Sequence, residues 1–309
     1  MTQIRRQRPT PRHIAIRANT VIPVVRHYDT TGLLLMLHGF MIPYRQLHFT
    51  LQKSYNSAMN LIGSEPPQPT GIYSDTEIIA ALKEGHIVCD PAPARINGSS
   101  IDVTLGYYFY ETGGQGGSLF NPFDENDVKR YFGEYKTAQP WRDVRQTISN
   151  SAVAALDTIN GIDDDHPVIV LRPNERILAH THEFIGILPP GTTSMQARST
   201  TGRIGISACY CAGWGDPGYI NRWTMEIHNL NEREYIVLPV GYRIAQIVFS
   251  ATGPVATEYA KASGNYQANI SADLTAVKAA WRPWMLLPRA YTSPVELPRP
   301  IAGLSEGLH

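Results

Sequence analysis

The stretch of residues 197–229 concentrates the side chains that could do chemistry. It reads ARSTTGRIGISACYCAGWGDPGYINRWTMEIHN and places a serine, two arginines and two carboxylates in a few short strands and turns: Arg198, Ser199, Arg203, Asp216 and Glu226. A buried carboxylate flanked by a hydroxyl and two guanidinium groups can support hydrolysis without a metal-bound water. The residue types therefore indicate a hydrolytic site.

The alternation within this stretch decides where Glu226 lies on its strand. Apolar and polar residues alternate here, in the order Trp223, Thr224, Met225, Glu226, Ile227 and His228. Successive side chains of a strand point to opposite faces, so Glu226 lies on the face opposite the apolar set. From the spacing alone, that face is either solvent or a site that includes Ser199 and Arg203. Asp216-Pro217-Gly218 can equally be a simple hairpin turn.

The elements that must position these residues are mostly strands. After residue 85, short β-type runs follow one another with turn residues between them: HIVCD, SIDVTLGYYFYE, PVIVLRP, ERILAHT, FIGILP, TSMQARS, IGISACYC, RWTMEIHN, REYIVLP and YRIAQIVFS. This spacing predicts an all-β sandwich or barrel. Ahead of the strands, Ser74 and Glu77 form a capping box and Gly85 is a stop signal, which predicts a short helix at about 75–84.

The remaining segments are extensions and an insert. A polar, Gly-rich insert at about 113–165 interrupts the strands, and we expect a helix near Val144–Asp157. Three parts follow: an extension at 1–70, a β domain at 71–269, and a lid or irregular tail at 270–309 with Trp281 and Trp284. The extension contains Leu-His-Gly-Phe, a feature of α/β-hydrolase strand ends, but the chain has no Gly-x-Ser-x-Gly elbow, so we set a serine esterase aside.

Composition limits the partners and the compartment. The chain of 309 residues has 43% hydrophobic residues and a formal net charge of zero, which describes a soluble protein and gives no electrostatic argument for nucleic acid or a membrane surface as a partner. Five arginines near the N-terminus fit a solvated tail better than a nucleic-acid arm. Three cysteines, Cys89, Cys209 and Cys211, form no CxxC motif and favour buried thiols in the cytoplasm.

Two metal patterns are absent. His180, His182 and Glu183 in AHTHEF would need further ligands to hold a metal, and the helical HExxH pattern does not occur, so a structural role is favoured. The H-x-E and P-C-x-x-C signature of zinc nucleobase deaminases does not occur either. A deamination here would therefore proceed without zinc.

Several motifs in order resemble one family over residues 71–267. The matching segments are SDTEIIAALKEGHIVCDP, INGSSIDVTLG, ERILAHTHEFIGILP, RSTTGRIGI, AGWGDPGYINRWTMEIHN, YRIAQIVF and GPVATEYAKASGNYQ. Together they resemble the dCTP deaminases of the trimeric dUTPase superfamily. The resemblance implies a mainly β fold, a distorted barrel or jelly roll, with a short N-terminal helix and irregular terminal extensions. It also implies a homotrimer with sites between subunits, so that residues of one site can come from different chains.

The resemblance also assigns roles. Glu226 would take a proton from the water that attacks C4 of cytosine, Ser199 would hold that water or the 4-substituent, and Arg203 would hold Glu226. Arg198 and nearby amides would bind the triphosphate, which would bring Mg²⁺ with it, and Asp216 and Tyr219 would bind the deoxyribose. The full implied set of substrate-binding residues is Arg198, Thr200, Thr201, Gly202, Ala212, Asp216, Tyr219, Thr224, Met225, Tyr259 and Gln267, the last two in a closing lid.

Departures from the family pattern leave the final product open. The lid reads Asn265-Tyr266-Gln267-Ala268-Asn269 and lacks the family's usual lysine, a charge that Arg222 could replace. Our first expectation is deamination of dCTP to dUTP, which supplies dUMP and dTTP synthesis, with dTTP as a feedback inhibitor. Ala212-Gly213-Trp214 favours a bifunctional enzyme that also cleaves dUTP to dUMP. A plain dUTPase conflicts with Glu226, and a non-catalytic sensor of dCTP or dUTP is the remaining alternative.

Overall fold

A computed structural model describes residues 71–113, 117–210, 212–255, 273–293 and 295, together with the backbone of three short N-terminal strands. The chain divides into two compact units, Met1–Gln68 and Pro69–His309. The described part of the first unit is a three-stranded antiparallel sheet in the order β1-β2-β3, with β1 at His27–Asp29, β2 at Gly32–Leu37 and β3 at Phe40–Pro43. Leu37 and Phe40 of the Leu-His-Gly-Phe element are paired at the adjoining ends of β2 and β3.

The second unit is built mainly from antiparallel strands, as predicted. Its strands are β4 (Ile87–Asp90), β5 (Ile96–Asn97), β6 (Ser100–Thr104), β7 (Tyr108–Glu111), β8 (Lys136–Thr137), β9 (Gln139–Pro140), β10 (Pro167–Leu171), β11 (Arg176–Ile187), β12 (Gly191–Ala197), β13 (Ile206–Ser207), β14 (Trp214–Gly215), β15 (Ile220–Asn229), β16 (Ile236–Pro239) and β17 (Arg243–Ala251).

These strands form three sheets. A six-stranded sheet has the order β13-β15-β11-β7-β8, with β4 also paired to β11. A five-stranded sheet has the order β14-β12-β17-β6-β5, and a smaller one has the order β16-β10-β9. One large apolar cluster takes side chains from all three sheets, among them Met225, Ile247 and Ile169. We call this cluster the main core.

The short helices are α1 (Asp75–Glu84), α2 (Glu125–Phe132), α3 (Trp141–Val144), α4 (Ser151–Ala154), α5 (Ser199–Arg203) and α6 (Leu274–Ala280). The sequence predicted α1 correctly, including its ends. The Ser74 hydroxyl accepts a hydrogen bond from the Glu77 amide while the Glu77 carboxylate accepts one from the Ser74 amide, and Gly85 ends the helix with a φ of 76°. Among the described residues, none of the helices combines the length and hydropathy needed to cross a membrane.

Two sequence predictions differ from the structure. The helix expected near Val144–Asp157 is wrong as a single element: that region contains the end of α3, a 3₁₀ turn at Arg145–Thr147, and α4. Asn150 interrupts it, because its side chain accepts hydrogen bonds from the amides of Ala152 and Val153 and so starts a new helix. Secondly, the tail predicted as irregular contains α6 and two 3₁₀ turns, Pro283–Leu286 and Ala290–Thr292.

The segments ERILAHT and FIGILP, predicted as two strands, form one twelve-residue strand, β11, with a bulge between His180 and Phe184. At the bulge, the Thr181 hydroxyl accepts a hydrogen bond from the Trp223 amide at 2.9 Å and donates one to the Glu183 carbonyl at 2.8 Å. The side chain thus replaces a missing partner of the strand ladder. The strand continues past the bulge because this hydroxyl satisfies the backbone there.

Candidate active site

A cavity of about 630 Å³ lies on the face of the six-stranded sheet that is turned away from the main core. Its size is typical of small-molecule sites. Its polar lining residues are Arg176, Asp216, Tyr219, Thr224 and Glu226, and its other lining residues are Phe120, Phe132, Leu178, Ala212, Trp214, Trp223, Leu286 and Pro288. The cavity therefore combines two carboxylates and one guanidinium with a largely apolar wall.

Strand β15 supplies Glu226 to this cavity, and its alternation is confirmed. Trp223, Met225 and Ile227 are buried, whereas Thr224 and Glu226 are half-buried on the opposite face. Glu226 is paired across the sheet with Leu178 of β11, and Arg176 is two residues away on the same face of that strand. The main core thus holds one face of β15 and thereby directs Glu226 into the cavity.

The surroundings of Glu226 favour its protonated form. Burial raises the pKa of the Glu226 carboxyl, while the amides of Glu226 and Tyr210 and the charge of Arg176 oppose that rise. Its Oε2 is buried and has no hydrogen-bond partner among the described residues. A buried carboxylate oxygen without a partner is a strong acceptor for a proton or for a donor on a bound ligand. This geometry suits a general base.

The turn that precedes β15 carries two further lining residues. The Tyr219 amide donates to the Asp216 carbonyl at 2.9 Å, and Gly218 takes a φ of 88°, which residues other than glycine rarely adopt. Asp216 is exposed at the cavity, and its Oδ1 accepts a hydrogen bond from the Trp214 indole at 3.2 Å. Asp216-Pro217-Gly218 is therefore a tight turn that also places Asp216 and Tyr219 in the cavity.

Close backbone packing fixes this turn against β11. A Cβ atom on Gly186 would lie 2.0 Å from the Tyr219 carbonyl oxygen, and one on Gly215 would lie 2.2 Å from the Thr193 hydroxyl. Both positions require glycine because real Cβ atoms do not approach other atoms so closely. The ring of Tyr219 packs edge-on against that of Trp223, with centroids 5.3 Å apart.

The RSTTGR segment lies elsewhere on the chain. It forms α5 at the end of β12, and Ser199, Thr200, Gly202 and Arg203 are exposed. None of the described residues of this segment lines the Glu226 cavity. Within one chain, the structure therefore does not bring Ser199 and Arg203 to Glu226, and the guanidinium that influences the carboxyl is that of Arg176.

Two residues of the segment have structural partners. Thr201 is fully buried, and its hydroxyl donates to the Ile244 carbonyl at 2.9 Å. The Arg198 guanidinium donates to the Arg243 carbonyl at 2.7 Å and is 3.4 Å from Asp102. Asp102 is buried, and its Oδ1 and Oδ2 accept hydrogen bonds from Asn97 and Arg243, each at 2.8 Å. We call Asn97, Asp102, Arg198 and Arg243 the Asp102 cluster.

The remaining predicted residues fall into three groups. Ala212 and Thr224 line the cavity, as do Asp216 and Tyr219. The Met225 side chain is buried in the main core, so only its backbone can face a ligand. Tyr259 and Gln267 lie outside the described residues. Sequence reasoning missed Arg176 and Leu178, whose place follows only from the pairing of β11 with β15.

Two of the residues in the AHTHEF segment, His180 and Glu183, have hydrogen-bond partners within the fold. His180 is buried, its Nδ1 donates to the Thr181 carbonyl at 2.7 Å, and its Nε2 accepts from the Tyr108 amide at 3.1 Å. Burial lowers the pKa of His180 to about 3, so the ring is neutral. The Glu183 carboxylate accepts from the amide and hydroxyl of Thr104, which ties the two large sheets together. Within the ranges that the structure describes, no group of three or more histidine, cysteine or acidic side chains is arranged to hold a metal.

Arg222, which could replace the missing charge of the lid, has partners within its own chain. Its guanidinium lies 4.7 Å from the ring centroids of both Phe184 and Trp281, and its Nε donates to the His182 carbonyl. Nearby, burial raises the pKa of the Cys89 thiol, and the charges of Glu183 and Asp90 add to the effect, which favours the thiol over the thiolate.

Comparisons with known proteins agree with these features. The sequence model of a family described as dCTP deaminase-like matches residues 72–252. A Methanopyrus kandleri protein named "dCTP deaminase, dUMP-forming" is 31% identical over 202 residues, which are 63% of this chain and 90% of that protein. A Haloarcula marismortui protein named "dCTP deaminase" is 27% identical over 182 residues, covering 58% of this chain and 80% of that one.

A solved structure is also similar. The crystal structure of a 2′-deoxycytidine 5′-triphosphate deaminase from Agrobacterium tumefaciens aligns with a TM-score of 0.40 and 18% identity, over 60% of this chain and 49% of that one.

Proposed function

The chain belongs to the dCTP deaminase-like family, and on that premise we propose that it removes the exocyclic amine of dCTP by hydrolysis. The observation that carries the proposal is Glu226, a half-buried carboxyl with an unpartnered oxygen in a cavity of small-molecule size. Water adds to C4 of cytosine as Glu226 takes its proton. Glu226 passes this proton to N3, then takes the proton of the new C4 hydroxyl and gives it to the amine as the C4–N bond breaks, so dCTP and water give dUTP and ammonia.

The burial of Glu226 suits this role. A base whose pKa is raised holds a proton better in the intermediate while remaining able to release it to the amine. Positioned proton transfer of this kind contributes about 10²- to 10⁴-fold in rate. Zinc independence is part of the proposal, because the sequence lacks the zinc deaminase signature and Glu226 offers a base for the water.

We further propose that the site is completed by a second copy of the chain in a homotrimer. Ser199 and Arg203 are exposed on α5 and do not line the Glu226 cavity of their own chain. A neighbouring protomer could bring its α5 to this cavity, where Ser199 would hold the water and Arg203 the Glu226 carboxylate. The proposed location is the cytoplasm, where the nucleotide pool is found.

The polar lining fits a nucleotide that brings its own Mg²⁺. Mg²⁺ usually takes one or two carboxylates in addition to phosphate and water oxygens, and the lining offers Asp216 and Glu226 only. Asp216 would accept the 3′-hydroxyl and Tyr219 would pack on the sugar, which excludes a 2′-hydroxyl. The ion would neutralise phosphate charge, and Arg198 would contact the phosphates from a neighbouring chain. dTTP is the proposed inhibitor because it shares all these groups except the reactive amine.

The relatives favour the bifunctional alternative for the end product. The sequence put dUTP first, but the Methanopyrus kandleri relative is named as dUMP-forming, and Ala212 and Trp214 of the Ala-Gly-Trp motif line the cavity with Asp216. In a bifunctional enzyme, Asp216 would also orient the water that attacks phosphorus. Cleavage of dUTP by water then gives dUMP and pyrophosphate.

One assay tests both proposals. The full chain is incubated with dCTP and Mg²⁺, and ammonia, dUTP, dUMP and pyrophosphate are measured over time. Ammonia with dUMP and pyrophosphate supports the bifunctional enzyme, and ammonia with dUTP alone supports simple deamination. Tight binding of dCTP without ammonia would support the sensor and contradict the proposal.

A further inference from the structure

The segment Leu274–Thr292, which we call the C-terminal segment, packs on the same face of the six-stranded sheet as Glu226. It lies beyond the range that the family model matches. It shares a second apolar cluster with β7, β11 and α2, whose buried members are Tyr110, Val128, Phe132, Leu178, Phe184, Val277, Trp281, Leu286 and Leu287. The segment is therefore packed into the fold as part of this unit.

Trp281 anchors the segment beside the cavity. Its ring lies 4.7 Å from the Arg222 guanidinium carbon and 4.9 Å from the neutral ring of His180. Trp281 is 7% exposed, so this cation–π contact is largely shielded from water and correspondingly strong. An ion pair between Lys278 and Asp90 adds a second attachment. The anchor fixes where the following 3₁₀ turn, Pro283–Leu286, can lie.

The 3₁₀ turn borders the same cavity as Glu226, because Leu286 and Glu226 both line it. It contacts β7 and β11. Leu178 of β11 is paired with Glu226 on one side and with Tyr110 of β7 on the other. Neighbouring strands are about 4.8 Å apart, so a side chain above β7 is roughly 10 Å from β15, which leaves room for one pyrimidine ring above Leu178. Leu286 and Glu226 then stand on opposite sides of that ring.

The orientation of the ring decides which edge meets Leu286. This inference rests on the proposed function and on one added premise: the backbone of β15 at Thr224, Met225 and Glu226 binds the edge of cytosine that carries O2, N3 and the amine. The opposite edge, C5–C6, then faces away from β15. On that side the cavity is lined by Phe120, Phe132, Leu286 and Pro288, which are all apolar.

We propose that Leu286 is a specificity-determining residue that sets the space at C5 of the pyrimidine, and that the site accepts dCTP analogues with a small 5-alkyl group. The apolar wall offers no donor or acceptor to a polar 5-substituent, and it gains contact with a methyl group. One methylene in an apolar pocket changes discrimination about 10- to 200-fold, so the size of residue 286 has a measurable effect.

The test compares 5-methyl-dCTP with dCTP. The ratio of their kcat/KM values is measured for the full chain and for Leu286→Phe and Leu286→Ala. Leu286→Phe lowers the ratio of 5-methyl-dCTP to dCTP about tenfold or more, because it fills the space next to C5. Leu286→Ala raises the corresponding ratio when a dCTP analogue with a larger 5-alkyl group is compared with dCTP. Equal changes for both substrates, or none, would overturn the proposal.

Leu287→Ala is the matched control. Leu287 is buried in the same apolar cluster but does not line the cavity, so its truncation costs stability and leaves the substrate ratio unchanged. Thermal unfolding of all three variants identifies any that fail to fold.

Binding separates this proposal from the proposed function. Dissociation constants of dCTP and 5-methyl-dCTP are measured with Mg²⁺ for Glu226→Gln, with and without Leu286→Phe. If the full chain releases no ammonia but Leu286→Phe still weakens 5-methyl-dCTP selectively, the subsite stands and the proposed reaction fails. If ammonia is released and the binding ratio does not change, the reaction stands and the subsite fails. A chain that neither binds nor converts either nucleotide contradicts both.

Discussion

The Asp102 cluster and the surroundings of Glu226 differ in the hydrogen-bond donors that they offer to a carboxylate. Asp102 is 1% exposed, and its oxygens accept hydrogen bonds from Asn97 and from the Arg243 guanidinium, with Arg198 close by. Glu226 is half-buried among apolar groups, and its Oε2 has no hydrogen-bond partner within the described part of the chain. The fold therefore supplies hydrogen-bond donors to both oxygens of Asp102, whereas Oε2 of Glu226 is available to a bound ligand or water.

This difference is the one expected between a structural carboxylate and the general base proposed for this site. A buried charge with matched donors holds its neighbours in place and has little capacity left to react. A carboxyl with a buried oxygen that no donor satisfies costs stability, and such a cost is usually found at functional sites. Substitutions in and around these two regions test whether Asp102 stabilises the fold and whether Glu226 acts as the base.

The largest effect is expected from Glu226→Gln. The amide cannot take a proton from water, so ammonia release from dCTP falls by about 10²-fold or more, while dCTP binding is nearly unchanged. Glu232→Gln, a change of an exposed residue just beyond β15, is the control and keeps full activity. Turnover that survives in Glu226→Gln would show that another group acts as the base.

Asp102→Asn tests the satisfied region. It removes the negative charge that two partly exposed guanidinium groups surround, and we expect the free energy of unfolding to fall by about 3 kcal/mol. Urea unfolding measures this loss. Asp165→Asn is the control because its ion pair with Arg142 is exposed, so the loss there is below about 1 kcal/mol. If Asp102→Asn and Asp165→Asn lose the same free energy of unfolding, Asp102 does not have the stabilising role assigned to it.

Two glycine substitutions test the backbone, one against the turn beside the Glu226 cavity and one in α5, which follows Arg198. Gly186→Ala places a Cβ against the Tyr219 carbonyl, so we expect a loss of about 1–3 kcal/mol in stability and a higher KM as the turn moves. Gly202→Ala in α5 meets no atom within 4 Å and gains about 0.5–1 kcal/mol from its helical position. Thermal unfolding and steady-state kinetics of both variants check these signs. A gain in stability for Gly186→Ala would contradict the packing described here.

Local signals made part of this molecule predictable from its sequence. The capping box and Gly85 defined α1, and the alternation of residues 223–228 assigned Glu226 to the correct face, because both depend on neighbours in the chain. The contribution of Arg176 depends on pairing between strands about 50 residues apart in sequence, which no local pattern encodes. The broken helices of the insert depended on one side chain, Asn150, that caps a new helix.

The apolar side of the cavity was not predictable from a local sequence pattern either. Phe120 and Pro288 lie outside the helices and strands, and Leu286 ends a 3₁₀ turn. Phe120 stacks on Tyr131, whereas the C-terminal segment is held by Trp281 against Arg222, and both contacts join residues far apart in sequence or in irregular segments. The contact between protomers that we propose for Ser199 and Arg203 is likewise not encoded in a local pattern, and their own chain does not bring them to Glu226. Motif order therefore predicts which residues react, while tertiary packing determines what surrounds Glu226.

The smallest effect is the pH dependence that Glu226 imposes. Because burial raises the pKa of Glu226 above its unfolded value, the folded state binds the proton more tightly, and stability falls as pH rises from the unfolded pKa through the folded one. Glu226→Gln lacks this loss. The variant is therefore more stable than the natural chain at neutral pH, and the two unfolding temperatures converge as the solution is acidified below the ordinary pKa of glutamate. The acid limb of kcat/KM for dCTP correspondingly lies above that ordinary value, since only ionised Glu226 accepts a proton. If the natural chain and Glu226→Gln have equal unfolding temperatures at every pH, the Glu226 carboxyl is exposed to solvent and the contrast with Asp102 is wrong.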